Sequence, residues 1–288
     1  MAKIITKDTK PGKGIEKDAP EKRRFFLFFE LFFGKIFKLV TVNFIYFITL
    51  LPLIIGLSYT IVINPLIQAP ADILKYNPIF IVPSIPGGIL LAVSLFITGP
   101  ATAGFTYVIR NMQRREHTWI FTDFFKQFKK NYKQGLLMGI ISTLGYFMLI
   151  FAFSFYLYDM PRLDPESGTM LPFLSAVFIG ALILIFTWAH FYIYTMMVTF
   201  KLEFSKLFKN SVIFAIGKLP LNILITVIIA AVAAVQILIS NAVPIISGVF
   251  IPIISLSLIG FIIIFSTYPT IDKTMLQKAS KRVLNTRG

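Results

Sequence analysis

Residues 219–271 read LPLNILITVIIAAVAAVQILISNAVPIISGVFIPIISLSLIGFIIIFSTYPTI, 53 consecutive positions without Asp, Glu, Lys or Arg. About 20 apolar residues make one helical crossing of a bilayer. The run is therefore too long for one span and suits two joined by a tight turn. Asn241 and Pro244 lie between its apolar halves and supply turn chemistry where a helix breaks. Four more windows, 39–71, 76–109, 134–158 and 167–200, are also free of charged side chains. Each suits one span, because a charge at mid-bilayer costs a few kcal/mol or more. The expectation is an all-α polytopic membrane protein with six transmembrane helices, at 39–62, 86–109, 135–158, 172–199, 219–240 and 245–268. These sit in a membrane domain over 25–268, flanked by a basic flexible tail at 1–24 and a second basic tail at 269–288. The first 24 residues are polar, contain Pro11 and Pro20 and lack an apolar core with a small-residue cleavage site, so no cleavable signal peptide is expected.

Composition agrees. Of 288 residues 56% are hydrophobic and 14% charged, whereas a soluble domain carries about a quarter charged residues. A soluble globular enzyme and a disordered chain are both excluded. The formal charge of +15 could signal nucleic acid, anionic lipid or membrane orientation, and position along the chain decides. Segments 1–38, 110–133, 201–218 and 269–288 hold 26 of the 28 Lys and Arg with nine acids, a net of +17. The remaining segments hold Lys75 and Arg162 against Asp72, Asp159, Asp164 and Glu166, a net of −2. The positive-inside rule then places both termini in the cytoplasm. Basic residues spread over every inner segment do not form a nucleic-acid recognition element, so no nucleic-acid partner is expected. With no cysteine there is no disulfide, thiolate metal site or cysteine nucleophile.

The inner segment between spans two and three carries an amphipathic helix pattern. Thr118 is placed to cap it, and Phe121, Phe124, Phe125, Phe128 and Tyr132 fall at helical spacing on one face. Asp123, Lys126, Lys129, Lys130 and Lys133 occupy much of the rest. Such a helix suits either an interface with anionic lipid headgroups or a docking surface for another protein. A shorter echo before the fifth span, Phe208-Lys209-Asn210 against Phe128-Lys129-Lys130-Asn131, hints at duplication. The aromatic stretch 24–39, RFFLFFELFFGKIFKL, suits a segment lying along the membrane and turning into the first span.

Within the second span, Gly99, Pro100, Ala101, Thr102, Ala103 and Gly104 form a run of small residues with a helix break. Small residues let helices approach closely in lipid, and a broken helix lining a substrate site reads the same way. Neither His117 nor His190 has a second histidine or a carboxylate at metal-binding spacing. His190, inside the fourth span, is an intramembrane polar candidate, suited to a hydrogen bond between helices. No serine-hydrolase, zinc-protease or phosphate-loop motif is present. No catalytic, cofactor-binding or metal-binding residue is expected, and no cofactor. The windows also lack an acid or base for proton relay, which weighs against a proton-coupled carrier.

The stretch 99–135, GPATAGFTYVIRNMQRREHTWIFTDFFKQFKKNYKQG, resembles the YesL family of bacterial integral membrane proteins, as do Asn43 and Pro52 in the first span. Residues 53–98 intervene where many relatives pass almost directly from the proline to the Gly-Pro-Ala-Thr motif. The resemblance implies no established catalytic or ligand residues. It implies a non-catalytic partner of carbohydrate importers of the ATP-binding-cassette type in the bacterial plasma membrane, contacting their permease or ATPase subunits. An autonomous channel or secondary carrier for a small solute, or a lipid-binding scaffold, are the alternatives from other classes.

Overall fold

A computed structural model describes residues 23–59, 85–160, 170–242 and 251–276. Apart from short links such as 114–119 and 200–203, the described residues are helical, in nine α-helices: α1 (Arg24–Gly34), α2 (Ile36–Ser58), α3 (Ile85–Gln113), α4 (Ile120–Lys130), α5 (Tyr132–Ser154), α6 (Met170–Thr199), α7 (Phe204–Gly217), α8 (Leu219–Ala242) and α9 (Leu256–Ile271). Single π-helical turns extend α5 at Phe155–Asp159 and flank α9 at Ile251–Ser255 and Asp272–Leu276. Six helical segments are long and apolar enough to cross a membrane: Ile36–Ser58, Pro86–Gln113, Tyr132–Tyr158, Met170–Thr199, Leu219–Ala242 and Ile253–Met275. The count agrees with the sequence reading, but the boundaries do not. The first span begins at residue 36 rather than 39, the second runs on to 113 and the sixth runs on to 275 rather than 268; the expected start of the sixth at 245 lies outside the described residues. The differences arise because a basic residue at a helix end need not terminate it. Arg110 continues α3 by bonding to a neighbouring helix, and Asp272 and Lys273 sit on the closing π turn. Residues 1–22 and 277–288 of the expected tails, most of the outer segments and the Asn241–Pro244 turn beyond Ala242 lie outside the described residues, whereas 269–276, expected in the second tail, continue the last helix.

The chain repeats one arrangement three times. A shorter helix (α1, α4, α7) runs into a span (α2, α5, α8) across a single residue, and a second span (α3, α6, α9) returns. The linking residues share one backbone geometry: Lys35 at φ −124°, ψ 19°, Asn131 at φ −101°, ψ 16° and Lys218 at φ −123°, ψ 37°. A ψ near zero leaves the α-helical well and bends the helix there. Gly34 and Gly217 precede two of these hinges and weaken the helix at the same place. The suspected verbal echo does not mark this repeat. Asn131 is a hinge, whereas Asn210 lies inside α7, well short of its hinge at Lys218.

At the basic end, several cations meet helix carbonyls, beside the Arg115–Glu30 pair at 3.2 Å. The Lys35 ammonium donates to the Met112 carbonyl at the end of α3 (2.6 Å), and Arg24 donates to the Phe265 carbonyl inside α9 (2.7 Å), which Pro269 leaves without its intrahelical N–H partner. Arg110, 6% exposed, donates to Val198 O (2.8 Å) and Thr199 Oγ1 (3.0 Å) at the end of α6. The last carbonyls of a helix carry partial negative charge and no intrahelical partner. Part of the basic excess therefore stitches the bundle. Burial, with Lys38 and Arg115 close by, holds the Lys35 ammonium below the usual lysine range.

Packing between spans follows the rule for lipid, where close approach and interhelical hydrogen bonds replace the hydrophobic effect. Asn43 Oδ1 accepts the Ser257 N–H (2.7 Å) where the π turn enters α9. Trp188 donates to Thr226 Oγ1 (2.9 Å), and Tyr192 donates to Asn222 Oδ1 (2.7 Å). On α1, Phe28 and Phe32 pack against Phe261 and Phe28 also meets Phe265, while Phe25, Phe26, Phe33 and Phe37 face outward. The aromatic stretch thus has one anchored face and one that suits an apolar surround.

Candidate functional site

The glycine-proline run of α3 is a double docking point. An added Cβ at Gly99 would lie 1.9 Å from Gly135 O, and one at Gly135 would lie 2.8 Å from Pro100 N. Backbone therefore meets backbone where α3 crosses α5. One turn on, a Cβ at Gly104 would lie 2.7 Å from Phe124 O and 3.3 Å from its ring. Ala101 and Ala103 are fully buried between these contacts. The helices therefore approach closely at Gly99, Gly104 and Gly135. The α5 side carries a sequence signal of its own, Gly135-x-x-x-Gly139 at the start of that helix, the small-residue spacing of approaching membrane helices.

That seat for Phe124 corrects the expected single aromatic face on α4. Phe124 is wholly buried and Phe128 half-buried, whereas Phe121 and Phe125 are 61% and 46% exposed on the other side. Phe124 is therefore a fold contact and not a lipid or partner contact. The exposed surface consists of Trp119, Phe121 and Phe125 with Lys126, Lys129 and Lys130, and Tyr132 stands half-buried at the start of α5. Thr118 does not cap the helix, since its hydroxyl donates to Glu116 O. Asp123 takes that role by accepting the Trp119 N–H at 2.9 Å, a carboxylate in the first turn where the helix dipole favours it.

Above the Gly99–Gly135 crossing the helices part around a cavity of about 450 Å³. Five spans form its wall: Tyr46 from α2, Thr98, Thr102 and Thr106 from α3, Ser142, Thr143 and Tyr146 from α5, Thr187, His190, Tyr194 and Thr195 from α6, and an apolar face of α9. The cavity lies within the spans, and α8 takes no part in it. Its lining holds no Asp, Glu, Lys or Arg among the described residues. Thr102 belongs to both settings, because its own helix packs on α5 while its hydroxyl faces this space.

Most of these hydroxyls are occupied. Thr98, Thr102, Thr143 and Thr187 each donate to the carbonyl four residues back in their own helix, and Ser142 Oγ lies 2.6 Å from Met138 O. Tyr46 and Thr102 share a bond of 2.8 Å between α2 and α3, and Tyr146 donates to Thr187 at 3.0 Å between α5 and α6. Tyr194 is placed to interact with the Thr102 and Ser142 hydroxyls. His190 Nε2 lies 2.7 Å from Ser142 Oγ, and its Nδ1 lies 2.7 Å from Phe186 O. It joins α5 to α6, as a histidine between helices should. Two lining threonines differ. Thr106 and Thr195 are 5% and 1% exposed and border the cavity, and neither side chain forms a hydrogen bond among the described residues. Threonines in helices ordinarily bond back to their own carbonyls.

Sequence reasoning found Thr102 and His190 but not Tyr46, Thr106, Ser142, Tyr146, Tyr194 or Thr195. Hydroxyl residues are frequent in membrane helices, and only their convergence from several spans distinguishes these. Among the described residues no group of three or more His, Cys, Asp or Glu is gathered in a metal-binding arrangement. Residues 25–153 match the model of a family described as "Protein of unknown function, DUF624". The matched region runs from α1 almost to the end of α5, under half of the chain, and ends before the helix that carries His190. No curated protein and no solved structure matches.

Proposed function

We propose that this chain is a non-catalytic, multi-pass protein of the bacterial plasma membrane that binds a small neutral polar solute in the five-helix cavity. Ligand sites in membrane carriers lie at mid-depth between helices, and a ligand pocket is mostly apolar with a few placed polar groups. The observation that carries the reading is the pair of threonines, Thr106 and Thr195, that border the cavity with side chains forming no hydrogen bond among the described residues. With no fixed charge in the lining, a neutral solute leaves no ion unpaired in the membrane. The excess of Lys and Arg at one end of the spans supports a cytoplasmic position for both termini.

The test uses the purified full chain in proteoliposomes of known orientation, with labelled polyols and mono- and oligosaccharides as probes. One of them should bind, and the isosteric double variant Thr106→Val/Thr195→Val should weaken binding about tenfold or more, at roughly 1 kcal/mol for each neutral hydrogen bond lost. Absence of binding by every probe, or unchanged affinity in the double variant, refutes the proposal.

A second reading, an accessory subunit of a carbohydrate importer, follows from the YesL resemblance, which lies within the DUF624 family. The exposed aromatic and basic face of α4, Trp119, Phe121 and Phe125 with Lys126, Lys129 and Lys130, is the surface that such a partner, or anionic lipid, would meet. The two readings are compatible, since a subunit that holds solute can also dock.

A further inference from the structure

Three heavy-atom contacts meet at His190. Its Nδ1 lies 2.7 Å from Phe186 O, its Nε2 lies 2.7 Å from Ser142 Oγ, and Ser142 Oγ lies 2.6 Å from Met138 O. Both carbonyls accept only, so the hydrogens must come from the imidazole and the serine. A neutral imidazole with its proton on Nδ1 donates to Phe186 O and accepts from Ser142. The serine has one hydrogen, so its contact with Met138 O is then empty. A proton added to Nε2 reverses one bond and creates another: Nε2–H donates to Ser142 Oγ, and the serine O–H turns to Met138 O. Every contact is then filled. The opposite neutral tautomer would set the Nδ1 lone pair against the Phe186 oxygen and is disfavoured by repulsion.

We infer that His190 with Ser142 is a proton-binding site built into the wall of the cavity, so that a proton is a second ligand beside the neutral solute. Proton uptake here adds a hydrogen bond and breaks none, which offsets part of the cost of a charge in the membrane. The rings of Phe186 and Tyr146 lie 4.7 and 5.4 Å from the imidazole, within range for a cation and a π face. The titratable groups around it are tyrosines: Tyr146 on α5, Tyr194 on α6 itself and Tyr46 on α2 beyond Thr102. From α3 come threonines, and from α9 Leu256, Ile259 and Ile263. None of these carries a charge near neutral pH, so the added proton creates the only charge on the lining among the described residues. The inference deepens the solute-binding reading, on which the role of the proton as a second ligand rests.

The experiment uses the full chain with His117→Gln, leaving His190 as the only histidine, labelled with 15N in the imidazole and held in lipid nanodiscs. Spectra are taken between about pH 5 and 8, where an imidazole changes charge. Both nitrogens should become protonated reversibly toward the acid end. At a fixed pH inside the transition, Ser142→Ala should lower the ratio of imidazolium to neutral form roughly tenfold, because a bond to a charged donor is lost. Ser142→Thr, which keeps the hydroxyl, should restore it. Ser142→Cys, a weak acceptor of similar size, gives the same reading should Ser142→Ala not fold. A His190 that stays neutral throughout, or a ratio indifferent to loss of the hydroxyl, overturns the inference. The titration needs no solute, so its failure and a failure of solute binding are read separately.

Discussion

The crossing of α3 and α5 offers the most direct test of the architecture. Gly99→Ala adds one methyl at a point 1.9 Å from Gly135 O, 2.7 Å from Gly135 C and 3.0 Å from Gly139 N. All three neighbours are backbone, so no side chain can swing aside. An ordinary contact begins near 3.4 Å, and the two helices must therefore part by about 1.5 Å at a place where interaxial distances of roughly 8–10 Å are set by the contact residues. Overpacking of this kind costs about 1–3 kcal/mol, and a clash against backbone lies at the upper end. Against it, alanine improves helix propensity over glycine by up to about 1 kcal/mol. Gly180→Ala supplies the internal control. It makes the same chemical change in α6, but its new methyl meets only the Phe153 ring, at 3.4 Å. The propensity gain cancels between the two variants and leaves packing alone. Gly99→Ala should be less stable than wild type by about 2 kcal/mol and Gly180→Ala slightly more stable, a separation of about 3 kcal/mol. Reversible unfolding in mixed micelles, followed by Trp188 fluorescence, measures both. A Gly99→Ala protein as stable as the Gly180→Ala protein would refute the crossing.

Two further perturbations probe the rest of the frame. Asn222→Leu removes both the acceptor of the Tyr192 hydroxyl and the donor to Ala215 O (2.8 Å), and should cost about 2 kcal/mol; adding Tyr192→Phe should recover part of that, because no orphaned hydroxyl remains, and strictly additive losses in the same unfolding assay would show the pair to be uncoupled. On α4, Phe124→Asp should unfold the region seated on Gly104, whereas Phe125→Asp should leave the melting curve intact and reduce retention of importer subunits or anionic lipid, measured by mass spectrometry of the purified protein. The reverse order of stability would sink the division of that helix into an inner and an outer face.

The spans were legible because lipid enforces a simple rule: charged side chains end them, and the long uncharged run at 219–271 accordingly gave two. What the rule misplaced were ends where a cation finds a carbonyl, as Arg110 does on α6. Periodicity located α4 but treated its phenylalanines as one stripe, since the space that selects Phe124 over Phe121 and Phe125 is a glycine on another helix, Gly104. His190 could be singled out as an intramembrane imidazole, yet Ser142 is 48 positions away, and nothing in the linear order joins them. The reading that the membrane windows lacked a group for proton binding weighed His190 by itself. With Ser142 and two carbonyls around it, the same residue gains a place for the extra hydrogen.

The threefold arrangement explains why the cavity is polar on some walls and not on others. The first two repeats each contribute both of their spans, and the third contributes only α9, whose lining is Leu256, Ile259, Gly260, Ile263 and Ile264. The polar side is therefore made by α2, α3, α5 and α6, and its hydroxyls divide by the partner each has found. Those bonded to their own helix satisfy the membrane's demand that every buried polar group be paired, and contribute shape rather than recognition. Thr106 and Thr195 retain unused capacity, and the Ser142 hydroxyl can reverse. Specificity for a solute should then reside in α3 and α6, while α5, held to α3 by glycine contacts and to α6 through His190, joins the fixed crossing to the one group in the lining whose charge can change.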